Sequence, residues 1–185
     1  MCWALRCRSD DTKSATSTRI CSVQGSLKAT LTPTRQPRTT LSRMATVDDV
    51  AAAILARTGV IDTWKLQKLT YYSQAWHLVW EGGRLFPERI EAWANGPVAP
   101  ALYQKHRQRY SVSSWPAGDS SVLKANEIES IDAVIKFYGD KTGPQLSELT
   151  HREKPWKDAR RGLASGERGN KEITKAAMLE YYSSI

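Results

Sequence analysis

The chain has 185 residues, of which 41% are hydrophobic and 25% charged, enough for one domain with a core and too apolar for a wholly disordered polymer. Its longest unbroken apolar run, Val50 to Ala56, is seven residues; a membrane-spanning helix needs roughly 20, so a transmembrane protein is excluded. The net charge of +8 points to nucleic acid only until it is located: residues 1–43 hold eight basic against two acidic side chains, a balance of +6, and the rest holds 19 against 17, a balance of +2.

Residues 1–43 also contain all three cysteines and 14 Ser or Thr, with little apolar periodicity. Such a segment buries too little surface to offset the entropy of ordering it. It lacks the apolar core of a secretory signal, and Cys2, Cys7 and Cys21 match no zinc spacing. A disordered basic tail over 1–43, or a misassigned upstream start, is expected, followed by a folded domain over 44–185.

From Thr46 the chain reads as helices. Thr46 and Asp49 form a capping-box start, Val47, Val50, Ile54 and Leu55 share a face, and Gly59 is a stop. Asp62 or Thr63 caps a second helix with Leu66, Leu69, Tyr72, Trp76 and Val79 or Trp80 at helical spacing, broken by Gly82-Gly83. This spacing places Leu66 and Leu69 inward and Lys65 and Lys68 outward. Leu85-Phe86-Pro87 and Ile90 to Trp93 suggest a two-stranded ribbon, with Asn95-Gly96-Pro97 as a turn. A third helix is expected from Pro100 through Leu102, Tyr103, His106 and Tyr110, and a loop over 111–121. A fourth carries Ile128, Ile131, Val134, Ile135 and Tyr138 and ends at Gly139. Pro144 opens a fifth, with Leu146 and Leu149 inward, which halts before Pro155 and restarts with Trp156, Ala159 and Leu163. Thr174 caps the last, with Met178, Leu179, Tyr181 and Tyr182. The fold class is mainly α: a compact domain of about six helices with a small β-ribbon.

No phosphate loop, dinucleotide fingerprint, nucleophile elbow or HExxH stands in the sequence. His77 and Glu81 are four apart and could share a metal, but such pairs arise by chance in most helical proteins. Glu88 and Glu91 read better as solvated charges than as an acid–base pair, and His151-Arg152-Glu153 better as a helix C-terminus than as a proton relay. No catalytic residue, cofactor or metal is expected. Lys105, His106, Arg107 and Arg109 with Tyr103 and Tyr110 form a basic aromatic stretch, but +2 for the whole domain does not favour nucleic acid. Six tryptophans after Met44 are more than the core obviously needs. Trp76 and Trp93 are assigned to the core, whereas Trp64, Trp80 and Trp115 lie where one could anchor a partner.

The blocks Lys65-Leu66-Gln67-Lys68-Leu69, Tyr71-Tyr72, Gln74 and Trp76-His77 are followed by Leu85-Phe86, Glu88, Ile90 and Ala92-Trp93. Gly96-Pro97-Val98, Pro100, Leu102-Tyr103 and Leu149-Thr150-His151-Arg152-Glu153-Lys154-Pro155-Trp156 come next. In this order the sequence resembles the Panacea antitoxin domain family of SocA-like and GepA-like phage-associated proteins, over about residues 46–182. The resemblance implies a cytoplasmic prokaryotic or phage protein that neutralises a cognate toxin. It would do so by binding the toxin directly or by delivering it to a ClpXP-type protease, with no turnover of its own. The alternatives are an interaction module without a dedicated toxin, or an enzyme with an unrecognised site. The expected partner-binding residues are Lys65, Gln67, Lys68, Tyr71, Tyr72, Trp93, Tyr103, His151 and Trp156, with Lys65, Lys68, Tyr71 and Tyr72 forming a basic aromatic docking face.

Overall fold

Asp49 gathers the start of the fold around one buried carboxylate. In the computed structural model, which describes residues 43–164 and 166–185, helix α1 (Val47–Thr58) opens on Thr46. The backbone N–H and hydroxyl of Thr46 donate to Asp49 Oδ2 at 2.8 and 2.7 Å, and Asp119 N donates to Oδ1 at 2.8 Å. Arg43 completes the set through Nη1 and Nη2 at 2.7 and 2.9 Å. The expected tail otherwise falls on residues 1–42, outside the described residues. Burial acts to raise the Asp49 pKa, but Arg43 and the amides of Asp119 and Thr46 outweigh it and hold the carboxyl well below the usual carboxylate range. Its contribution is therefore present above about pH 4 and lost as the pH falls below that. Asp49→Ala, which orphans these donors, is expected to lower the unfolding free energy by about 3 kcal/mol in urea titrations at pH 7.

Helix α2 (Thr63–Glu81) is the axis of the domain. Asp62 caps it by accepting from Lys65 N at 2.8 Å, and Gly82 ends it in the left-handed conformation, φ 68°. Helices α1, α4 (Ala125–Tyr138), α5 (Gly143–Arg152) and α7 (Lys175–Tyr182) all pack on it. Every residue from Leu66 to Ala75 is consequently buried, polar ones included. Thr142 and Thr174 cap α5 and α7, and α5 gives way at Glu153 to the short α6 (Lys154–Ala159), where Pro155 fits the first turn. Seven α-helices and two short antiparallel strand pairs among the described residues make the fold mainly α, as expected.

The ribbon differs from its expected place. Strands β2 (Glu91–Trp93) and β3 (Gly96–Val98) pair around Ala94-Asn95, so Gly96-Pro97 lies within a strand. Leu85-Phe86-Pro87 forms no strand because Gln74 Oε1 accepts from the Leu85 and Phe86 amides at 3.0 and 3.1 Å, leaving no ladder to build. The C-terminal segment flanks the ribbon instead: Ala92 N donates to Lys171 O and Ile173 N to Ile90 O. Helix α3 (Pro100–His106) stops short of Tyr110, since Arg107 is extended and Gln108 takes φ 73°. That turn delivers β4 (Ser111–Val112), within the expected loop, to β1 (Ile61–Asp62). Leu163 lies beyond α6.

Candidate functional site

Two polar clusters meet along α2, and only one of them is open. The closed one is built on Glu153, 5% exposed at the α5–α6 junction. Tyr72 Oη donates to its Oε1 at 3.0 Å and Tyr182 Oη to its Oε2 at 2.6 Å, while Tyr182 also reaches the Tyr71 hydroxyl at 3.2 Å. Tyr138 stacks on Tyr72 with centroids 4.0 Å apart and accepts from Trp76 Nε1 at 3.1 Å. Burial pushes the Glu153 carboxyl up to about 7, although both tyrosines donate to it.

The open cluster lines a cavity of about 740 Å³ between the N-terminal half of α2, the ribbon, α3 and the segment around 168–170. Helix α2 contributes Gln67 and Lys68. Gln67 is a strut: its Oε1 accepts from Ala99 N at 2.9 Å, just before α3, and its Nε2 lies 2.8 Å from His106 Nε2. Lys68 is 2% exposed, and its ammonium donates to the Pro97 carbonyl at 3.2 Å. Gly96 accounts for the path of this side chain. At φ 102° it sits where a Cβ would stand 2.6 Å from Lys68 Cε, so the glycine makes room for the lysine. Burial lowers the Lys68 pKa to about 7, against a weaker upward pull from Asp62.

Trp93 and Tyr103 form the aromatic wall, edge to face with centroids 4.8 Å apart, and His106 follows Tyr103 at 5.5 Å. Trp93 Nε1 donates to Glu91 Oε2 at 2.7 Å, and Arg89 pairs with Oε1 of the same carboxylate. Behind the ribbon, Trp156 Nε1 donates to the Trp93 carbonyl at 2.9 Å. His151 stacks on the Trp156 ring with centroids 4.1 Å apart, and the Arg160 guanidinium lies over the same ring, 5.2 Å from its centroid. Burial, then Lys68 and Arg160, holds the His151 pKa below its ordinary value.

Of the nine expected binding residues, the structure brings Gln67, Lys68, Trp93 and Tyr103 to one cavity, with Trp156 and His151 supporting its ribbon. The outward face drawn from Lys65, Lys68, Tyr71 and Tyr72 does not exist. Tyr71 and Tyr72 turn into the Glu153 cluster, Lys68 turns inward, and Lys65 Nζ is spent on the Gly139 carbonyl at 2.6 Å. Glu91 is not a solvated charge but buried, whereas Glu88 is half-buried and accepts from Val47 N at 3.1 Å. Trp115 is no exposed anchor, being 8% exposed and bonded through Nε1 to Asp48 at 2.9 Å, whereas Trp64 and Trp80 are exposed. His77 Nδ1 lies 2.9 Å from Ser130 Oγ, and among the described residues no group of three His, Cys, Asp or Glu is placed for a metal. His106 and Glu153 were missed as site residues. Each stood within a quoted stretch, but nothing in its spacing distinguishes a buried strut from a surface charge.

These interlocking contacts join α2, the ribbon, α3 and α5, the blocks whose order is distinctive in the sequence. A family model described as antitoxin SocA-like, Panacea domain, matches residues 66–157. The chain belongs to the SocA-like Panacea family. No curated protein and no solved structure matches it. The Panacea match takes in Gln67, Lys68, Trp93, Tyr103 and His106, and with them the floor and aromatic wall of the cavity. It supports an antitoxin role in general terms. Among the described residues, no helix is long and apolar enough to cross a membrane.

Proposed function

We propose that this Panacea chain is a cytoplasmic, non-catalytic antitoxin that neutralises a cognate toxin protein by binding it at the mouth of the α2–ribbon–α3 cavity. The observation that supports this reading is convergence: motif blocks far apart in sequence meet at one aromatic-walled cavity, and their remaining polar groups are used to brace it. Half-buried aromatic side chains beside arginines are the composition of interface hot spots. Binding alone suffices for an antitoxin that holds its toxin. For one that delivers the toxin to a ClpXP-type protease, it is the first step.

The test is co-expression with the open reading frame adjacent to its gene, in a host whose growth that frame arrests. Restored growth and co-purification of the two chains support the reading. No rescue and no complex would remove it in favour of an interaction module without a dedicated toxin. Toxin levels followed with and without the protease separate holding from delivery. Trp93→Ala combined with Tyr103→Ala is expected to weaken the complex at least thirtyfold by titration calorimetry, because each ring is an anchor of the hot-spot kind.

A further inference from the structure

The cavity contains a buried lysine that forms no ion pair with its walls among the described residues. Lys68 offers three donors and, among the described residues, meets one hydrogen-bond acceptor, the Pro97 carbonyl. The carboxylate that lines the same cavity, Glu91, is already engaged by Trp93 Nε1 and Arg89. Around the mouth stand Arg107, Arg109 and Arg168, all exposed, so the lining is strongly basic although the domain as a whole is close to neutral. A buried ammonium is costly to leave unpaired, and a carboxylate brought to it would gain a charge-assisted bond in a site shielded from water.

The remaining lining narrows the ligand. Trp93 and Tyr103 offer apolar faces, and the amides of Asn95, Gln104 and Asn170 offer both donors and acceptors, which suit a peptide backbone. A volume of about 740 Å³ is far larger than a bare anion needs. We infer that the cavity seats an acidic peptide segment of the toxin, with one side-chain carboxylate paired to Lys68 Nζ and the adjoining residues laid against Trp93 and Tyr103. This deepens the antitoxin reading and rests on it for the identity of the partner. The chemistry of the cavity can be tested without the toxin.

The purified full chain is titrated with acetyl-Ala-Leu-Glu-Leu-Ala-amide and with its Gln counterpart, following the indole N–H signals of Trp93 and Trp64 by NMR. The Glu peptide is expected to shift the Trp93 signal saturably, and the Gln peptide to bind at least tenfold more weakly. Lys68→Met, checked for folding by circular dichroism, should erase that difference. Arg109→Ser with Arg168→Ser, both at exposed positions, should weaken the Glu peptide severalfold. Equal binding of the two peptides, or no movement of Trp93 in the folded wild-type chain, overturns the inference. With the toxin in hand, the matching experiment is a double-mutant cycle. One acidic residue of the toxin should lose tenfold to a hundredfold in affinity on replacement by Ala against the wild-type chain, and nothing against Lys68→Met. Rescue with no such coupling would keep the antitoxin and remove the carboxylate pairing. Peptide binding without rescue would keep the site and remove the toxin.

Discussion

Lys68→Met is expected to stabilise the domain, raising its melting temperature by roughly 5–10 °C at pH 6, while weakening its toxin binding tenfold to a hundredfold. The lysine stem is already packed and its charge is the only part that burial penalises, so a methionine of similar shape keeps the packing and removes the penalty. The pH dependence fixes the sign. In the unfolded chain the ammonium keeps its proton to about pH 10.5, whereas burial brings the folded value to about 7. Between these values the unfolded state binds more protons, so the stability of the wild type rises with pH across that window. Below pH 7 the penalty is complete, on the order of 5 kcal/mol. The advantage of the variant should therefore be largest at pH 6 and shrink steadily towards pH 9. Thermal melts of both proteins at matched ionic strength check this. A variant less stable than wild type at pH 6 would mean that the ammonium is paired in the free protein.

The second large effect lies in the Glu153 cluster. Glu153→Ala is expected to cost about 4 kcal/mol, because it removes the acceptor of both the Tyr72 and Tyr182 hydroxyls and leaves a cavity beneath α7. Glu153→Gln, which keeps the shape and one carbonyl acceptor, should cost far less and change the pH profile. The carboxyl titrates near 4.5 when unfolded and is raised to about 7 when folded. Its stabilising neutral form is therefore intact below pH 4.5, and stability is lost as the pH rises towards 7, by on the order of 3 kcal/mol. Wild-type urea titrations should show stability falling from pH 5 to 7, a loss the Gln variant does not share. Together with the rise due to Lys68 above pH 7, the two groups place a minimum of stability near neutrality. Removing either should flatten its own side.

These two side chains also mark where the sequence was legible and where it was not. Local devices read correctly because they act between near neighbours: the Thr46–Asp49 box, the cap at Thr174, Pro144 in a first turn, and Gly82 as a stop, while the choice between Asp62 and Thr63 as the α2 cap fell to Asp62. Lys68 read wrongly because the rule that places Leu66 and Leu69 inward and lysines outward assumes a helix with a solvent face. Helix α2, surrounded by α1, α4, α5 and α7, has none over Leu66–Ala75. Gln67, Lys68, Tyr71, Tyr72 and Gln74 are tertiary struts whose partners lie 11 to 111 positions away, from Leu85 for Gln74 to Tyr182 for Tyr71. No window of local sequence holds that information. The ribbon shifted for the same reason, since Gln74 claims the amides that a strand at Leu85 would have used. The residues taken from the motif resemblance include Gln67, Lys68, Trp93 and Tyr103, which line the cavity. Their direction, and the pairing of Gly96 with the lysine stem, came only from the fold.

The central claim is that this Panacea chain acts through the cavity, with Lys68 as its charged floor. It is tested most directly by growth rescue from the adjacent toxin, comparing the wild-type chain with Lys68→Met at matched soluble levels. The account predicts rescue by the wild type and none by the variant, although the variant melts at the higher temperature. Equal rescue by both would place the toxin elsewhere on the molecule and contradict it.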